Sequence, residues 1–234
     1  MIDEVATPMR GRTQPDRAAV AALDRLQIIE NPLSLALLAR IRDRRTDIFE
    51  FGALSTQLAG LLLWSACNDV RLAETQVPNF NGNPITVRQL AERIAGVAIL
   101  RAGLLFAAPF RGILPEAPLH QIGIRRDERS LRAIVYGDNL PAEANWADRV
   151  LILDPMLATG GSAVAALRHI RRSHDGIISV ISVISAPIGV ETVLNADPDV
   201  TIFTTALDDR LDDRGYIEPG LGDAGDRLFG TLHS

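Results

Sequence analysis

Residues 150–164 read VLILDPMLATGGSAV: four apolar residues, a lone carboxylate at Asp154, then a run of small residues ahead of a helical pattern. A short apolar run that ends in Asp and is followed by glycine has the form of a buried strand turning into a helix. In an open parallel α/β sheet, ligands bind beyond the carboxyl ends of the strands. A helix starting near Gly160 aims free backbone N–H groups and the positive end of its dipole at Ala158 to Ser162, which makes this turn a phosphate cradle. Glycines let the backbone close on an anion, and Thr159 and Ser162 add hydroxyl donors. Asp154, an acceptor that repels phosphate, suits paired hydroxyls such as those of a ribose. The motif fits a ribose 5-phosphate; the plain alternative is a strand-to-helix connection without a ligand.

Outward from this stretch, the chain after Ile94 alternates short apolar runs with helical segments, as a parallel sheet requires. VAIL before Arg101, HQIGI before Arg125, VLIL before Asp154, IISVISVIS before Ala186 and TIFTTAL before Asp208 are the expected strands. Their continuous apolar character suits strands covered on both faces. Charge follows four of them, at Arg101, Arg125-Arg126, Asp154 and Asp208, which puts these residues on one edge of the sheet. The closing stretch 213–230, DRGYIEPGLGDAGDRLFG, holds five glycines and one proline and reads as an ordered loop rather than a helix or strand.

Residues 16–70 read as helical, with apolar residues at three- and four-residue spacing: Ala22, Leu26 and Ile29, then Leu35, Leu38 and Ile41. Asn31-Pro32 is a helix start, and IRDRRTD (41–47) is a solvated turn between two helices. Phe51 to Cys67 is apolar but carries Ser55, Thr56 and Gln57 and is marginally long for a membrane span, so it reads as a buried core or interface helix. Asn81-Gly82 within QVPNFNGNPITV (76–87) gives a hairpin standing off the core. The expectation is an α/β fold: a central parallel sheet flanked by helices, with an N-terminal helical region and a β-hairpin excursion. Residues 1–15 form a flexible tail, and 16–234 form a single domain with its core at about 94–231.

Apolar residues make up 47% of the 234 and charged residues 23%, enough to bury a full core. The formal charge of −5 argues against broad nucleic-acid binding and for small ligands. All 24 basic residues are Arg; the absence of Lys removes Schiff-base chemistry and any GK[ST] phosphate loop. With Cys67 alone, neither an internal disulfide nor a thiolate metal cluster can form, which fits a reducing cytoplasm. The opening MIDEVATPMRGRTQPDR has no apolar core of a secretory signal. His120, His169, His174 and His233 form no catalytic set and read as surface residues.

Val150 to Ser162 resembles the phosphoribosyl-pyrophosphate loop of type I phosphoribosyltransferases. DPMLATGGS, with Pro155 where most branches carry a second acid, is similar to the uracil phosphoribosyltransferase branch. ILRAGL (99–104), RDE (126–128) and GYIEPGLGDAGDRLFGT (215–231) are similar to the same branch, in the same order. The resemblance implies a type I phosphoribosyltransferase-like sheet. It also implies the reaction of uracil with 5-phospho-α-D-ribose 1-diphosphate (PRPP) to give UMP and diphosphate, a step of pyrimidine salvage. By the same resemblance, Arg101 and Arg126 meet the pyrophosphate, while Asp154, Pro155, Met156, Leu157, Ala158, Thr159, Gly160, Gly161 and Ser162 hold the ribose and 5′-phosphate. Tyr216, Ile217, Gly222 and Ala224 frame uracil, largely by backbone groups, with Asp223 near the reacting ribose and pyrophosphate. Arg101, Arg126 and Asp223 are thus the expected catalytic groups. Mg²⁺ carried on the PRPP oxygens is the implied helper, with no metal site in the chain itself. A homodimer or higher homo-oligomer, a cytoplasmic location and GTP as an allosteric activator are further implications.

Elementary chemistry offers alternatives at single positions. Arg101 ends an apolar strand and needs an anion; an internal carboxylate such as Glu92 would serve. Arg126 stands beside Asp127 and Glu128, so a surface ion-pair turn is open to it, and Asp223 and Asp226 could only cap turns. Several positions depart from the family pattern: Arg125 replaces a Tyr, Asn139 replaces a Lys whose charge Arg125 could supply, and Glu218 replaces a small apolar residue. LLFAAPFRG (104–112) is also bulkier than the pattern. The alternative functions are transfer to another pyrimidine-like base and a weakly active or RNA-binding regulator on the same fold.

Overall fold

The computed structural model describes residues 14–21, 23–126 and 133–231, for Arg126 the backbone only. Most of the expected tail, Asp127 and Glu128 of the RDE stretch, and His233 lie outside the described residues. In chain order the elements are α1 (Arg17–Ala21), β1 (Leu26–Ile28), α2 (Pro32–Arg42), α3 (Ile48–Ala66), β2 (Leu72–Pro78), β3 (Pro84–Leu90) and β4 (Ile94–Leu100). A 3₁₀ turn (Ala102–Phe106) leads into α4 (Ala107–Ile113), β5 (Leu119–Arg126), β6 (Ala133–Asp138), β7 (Arg149–Leu153), β8 (Met156–Leu157) and α5 (Gly161–Ile170). The chain continues through β9 (Ile177–Ser185), α6 (Pro187–Ala196), β10 (Thr201–Leu207), β11 (Arg210–Leu211), β12 (Ile217–Glu218) and α7 (Ala224–Phe229).

The main sheet runs β1-β10-β9-β7-β4-β5-β6, with β8 also paired to β9. Every pairing is parallel except the edge pair β5–β6. Each of the five expected strands forms, and alternation within them explains why they read as unbroken apolar runs. In β7, Leu151 and Leu153 join a core beneath α2, α3 and α4, while Val150 and Ile152 join a second core beneath α1, α5 and α6. Both faces of Val150–Leu153 are dry, so each of these four positions is apolar. Burial of one such Leu or Ile contributes about 1.5–3 kcal/mol.

Two strands correct the sequence reading. Leu26–Ile28 is the edge strand β1, in register with Ile202–Thr204, and not helix. Its run is too short before Pro32 to make a helix, and pairing with β10 satisfies its backbone while burying Leu26. The other is β6, where Ala133 and Val135 are part-buried and Ile134 and Tyr136 exposed, the period-two pattern of an edge strand. The helix start at Pro32 holds: Asn31 accepts the Ser34 N–H and Ser34 Oγ returns the bond, a capping box. Asp47 caps α3 through the Glu50 N–H. One face of α3, from Phe51 to Ala66, lies in the core, while Phe49 and Trp64 are exposed.

The hairpin β2–β3 forms as expected, turning through Gly82 at φ 80°. Its base is fixed by charge. Glu92 is 2% exposed in its side chain; Oε2 accepts from Arg149 Nε at 3.0 Å and Oε1 from both the backbone and the guanidinium of Arg71. Burial alone would raise the Glu92 carboxyl, but the hydrogen bonds from Arg149 and Arg71 outweigh it and leave the group below its usual range.

Candidate active site

Asp154 follows the last residue of β7, and Met156 and Leu157 immediately add a short strand to β9. The expected phosphate loop is thus partly sheet. The Pro155 and Leu157 carbonyls accept from Val183 and Ala186 N–H groups, and Leu157 is buried, so these two residues face the fold. What remains for a ligand is Met156 and the turn from Ala158 to Ser162. Gly160, at φ 79°, ends the turn and α5 begins at Gly161 with no side-chain cap, which leaves first-turn N–H groups without intrahelical partners. The turn is backed by α6: a Cβ on Gly189 would stand 2.5 Å from the Ala158 oxygen and 2.6 Å from that of Leu157. A Cβ on Gly160 would stand 2.8 Å from the Gly189 oxygen. Burial pushes the Asp154 carboxyl up to about 7, opposed only in part by a hydrogen bond from the Met156 amide. The residue as a whole is part-buried, at the end of β7 where the chain turns into Met156.

Arg101 does not pair with Glu92, which Arg149 and Arg71 already occupy. Its guanidinium is largely exposed and stands 3.4 Å from Asp226 of α7. The 3₁₀ turn after Arg101 lies on the end of β7, where a Cβ on Gly103 would run into the Leu153 carbonyl. The glycine-rich C-terminal stretch is not loop alone: β11 and β12 pair antiparallel and α7 closes it, correcting the sequence reading. Asp223 caps α7 by accepting the Asp226 N–H at 2.8 Å, yet it also lines a cavity of about 300 Å³. Ala102, Met156, Ala158, Tyr216 and Ala224 line the same cavity. Three stretches far apart in sequence therefore meet around one space.

Not every expected base-framing group is free. The Tyr216 N–H is given to the Asp212 carboxylate and its carbonyl accepts the Asp212 N–H, so Tyr216 offers its side chain. Ile217 pairs with Leu211 in the β11–β12 ladder, and its side chain is buried in the core. Gly222, at φ 83°, is exposed beside Asp223. Arg126 ends β5, with its side chain outside the described residues. Asp208 sits at the expected edge but faces away from the cavity, bound to Arg42. Sequence reasoning passed over Arg214, which lines the cavity and has no ion-pair partner among the described residues. Its position two residues before Tyr216 was the available signal.

The sequence model of the family described as uracil phosphoribosyltransferase matches residues 28–231. The chain belongs to the uracil phosphoribosyltransferase family. It is 41% identical over 206 residues to a uracil phosphoribosyltransferase of Dictyoglomus thermophilum, covering 87% of this chain and 98% of the relative. Identity is 43% over 208 residues to that of Roseiflexus castenholzii, covering 87% and 97%. Among solved structures, the AQ2163 protein from Aquifex aeolicus is similar with a TM-score of 0.83 at 34% identity, covering 89% of this chain and all of the other. An adenine phosphoribosyltransferase from Trypanosoma brucei shares the fold, with a TM-score of 0.54 at 12% identity over 83% of this chain and 88% of that one.

Departures from the uracil phosphoribosyltransferase pattern take on structural meaning. Glu218 pairs across the β11–β12 ladder with Arg210 at 2.9 Å, half exposed. Asn139 bonds Gln121 near the start of β5, whereas Arg125 pairs with Ile134 near its end. Four residues of strand separate these points, about 13 Å, so Arg125 does not restore a charge at position 139. The histidine reading needs correction too: His174 is fully buried, and Trp146 packs between it and His120.

Proposed function

We propose that the cleft bounded by Ala102, Met156, Ala158, Tyr216, Asp223 and Ala224 binds PRPP and uracil together and joins them to give UMP. The observation that carries this reading is the convergence of the Arg101, Asp154 and Gly222 segments on one cavity of about 300 Å³. N–H groups at the start of α5, that of Gly161 held only by a long bond to Thr159 Oγ1 at 3.4 Å, receive the 5′-phosphate, and Asp154 accepts from the ribose hydroxyls. Arg101, joined by Arg126 and Arg214, faces the pyrophosphate. Ile217, Gly222 and Ala224 meet the edge of uracil, with Tyr216 beside it.

In the reaction, the bond from uracil N1 to C1 of the ribose forms as the bond from C1 to the pyrophosphate oxygen breaks. The electron pair leaves with the pyrophosphate and the N1 proton is released to solvent. Negative charge grows on the departing group while the ribose becomes oxocarbenium-like, so positioned cations and orientation supply the rate. No protein nucleophile is required.

Mg²⁺ would screen the charge of the pyrophosphate. Among the described residues no three His, Cys, Asp or Glu groups gather into a cage, and Asp223 is the carboxylate at the cavity; this donor set suits an ion carried on substrate oxygens. We further place the enzyme in the cytoplasm as a homo-oligomer, with the exposed face of α3 and the hairpin as the contact. The test is UMP formation from uracil and PRPP, with and without Mg²⁺, beside a panel of other pyrimidine-like bases and with added GTP. Preference for another base, or no UMP from folded protein, overturns the reading.

A further inference from the structure

The stretch proposed to frame uracil is held from behind by two arginines that never enter the cavity. Arg42, at the end of α2, makes a two-pronged ion pair with Asp208, which follows β10 and is 4% exposed in its side chain. The pair brackets the backbone of one residue of the loop. Arg42 Nη1 donates to the Gly220 carbonyl at 2.6 Å, and the Gly220 N–H donates to Asp208 Oδ2 at 2.9 Å. Gly220 itself sits at φ 64°, where a side chain would collide with the Ile217 carbonyl. One residue on, Arg227 Nη1 donates to the Leu221 carbonyl at 2.7 Å and to the Ile41 carbonyl at 2.6 Å. Its Nη2 donates to the Asp43 carbonyl at 3.0 Å, and the guanidinium lies 4.2 Å over the Phe51 ring.

We infer that Arg42 and Asp208 are positioning residues for base recognition, fixing the Gly220-Leu221 backbone so that Gly222, Asp223 and Ala224 are presented to the base before it arrives. The inference rests on the assignment of uracil to this loop. Charge-assisted bonds to both the N–H and the carbonyl of one residue, made in a partly buried place, hold it far more firmly than solvent could. A loop ordered in advance spares the base that ordering cost on binding. The pair has no contact with Asp154 or the turn from Ala158 to Ser162, so its influence falls on one substrate and not the other.

Steady-state kinetics on the full-length enzyme decide this. Arg42→Gln raises the KM for uracil by about tenfold or more, the scale of a lost charged hydrogen bond, while the KM for PRPP stays within about twofold. Arg42→Lys, which keeps charge but cannot bridge both partners, recovers only part of the loss. Asp208→Asn, an isosteric change that keeps an acceptor for the Gly220 N–H, shows the same split and serves where Arg42→Gln fails to fold. Equal rises in both KM values, or an unchanged uracil KM in folded Asp208→Asn, overturns the inference. The unaltered enzyme in the same assay reports separately on uracil: absence of UMP there removes the substrate assignment and the inference with it.

Discussion

The guanidinium of Arg101 and the carboxylate of Asp226 stand 3.4 Å apart, so the turn after β4 and the helix α7 meet at the cleft although 125 residues separate them in sequence. The contact is loose enough to be surrendered. Arg101 is 60% exposed in its side chain, and a pyrophosphate oxygen would compete for it with higher charge and a bidentate geometry.

Arg101→Ala is expected to lower kcat for UMP formation by about 100-fold or more, the scale of one lost charge-stabilising group. Asp226→Asn removes only the internal partner and lowers it by less than about tenfold, since a half-exposed pair contributes about 1 kcal/mol or less. Arg101→Ala turning over within a few-fold of the unaltered enzyme sinks the role.

Asp154 gives a pH signature. With its carboxyl pushed up to about 7, the free enzyme is progressively protonated as pH falls below that value and loses the acceptor for the ribose hydroxyls. The apparent KM for PRPP therefore rises from pH 8 to pH 6, and Asp154→Asn shows a raised KM without that slope. The same group affects stability with the opposite sign: the unfolded carboxyl ionises near 3.8, so its contribution to folding falls as pH rises from about 4 to 7. A profile of PRPP KM that is flat in the unaltered enzyme rules out the assignment.

Gly189→Ala drives a methyl group against the Ala158 and Leu157 carbonyls. Urea unfolding should show a loss of about 1–3 kcal/mol, the usual cost of overpacking. The PRPP KM should rise as well, because the displaced atoms belong to the phosphate turn. Unchanged stability with unchanged KM would mean that the turn moves freely, contrary to the packing described.

His174 is fully buried, packed against Trp146. Burial holds it below its ordinary value of 6.5, opposed by a hydrogen bond with the Ile177 backbone; Arg171 adds to the fall, and Asp175 and Asp148 work against it. The folded ring therefore stays neutral while the unfolded one takes up a proton, so stability declines as pH falls through 6.5. Melting temperature measured from pH 8 to pH 5.5 should drop less in His174→Phe than in the unaltered protein; parallel curves would exclude the histidine as the cause.

Much of this was legible in the sequence because strand and turn chemistry are local. The run VLILDPMLATGGS carries its own apolar strand, its glycine at positive φ and its uncapped helix start, and all three appear where the residues put them. What escaped was set by partners distant in sequence. Leu26–Ile28 has helical spacing, yet its backbone finds Ile202–Thr204. Asp208 stands on the expected edge by its place after a strand, and only the fold shows that Arg42, 166 residues earlier, claims it. Within the glycine-rich stretch, the cap at Asp223 and the left-handed Gly230 bound a helix of six residues, too short to produce a periodic signal.

The buried cluster at the foot of the hairpin has a mechanical consequence. Arg71 and Glu92 stand on either side of β2–β3 and are bonded to each other, and Glu92 in turn holds Arg149, the first residue of β7. Seven residues of strand project beyond that joint, about 23 Å of arm. The arm is stiff at its root and free along its length, a lever with its fulcrum at Glu92. Whatever grips its tip pulls on the near end of the strand whose far end delivers Asp154 to the cleft.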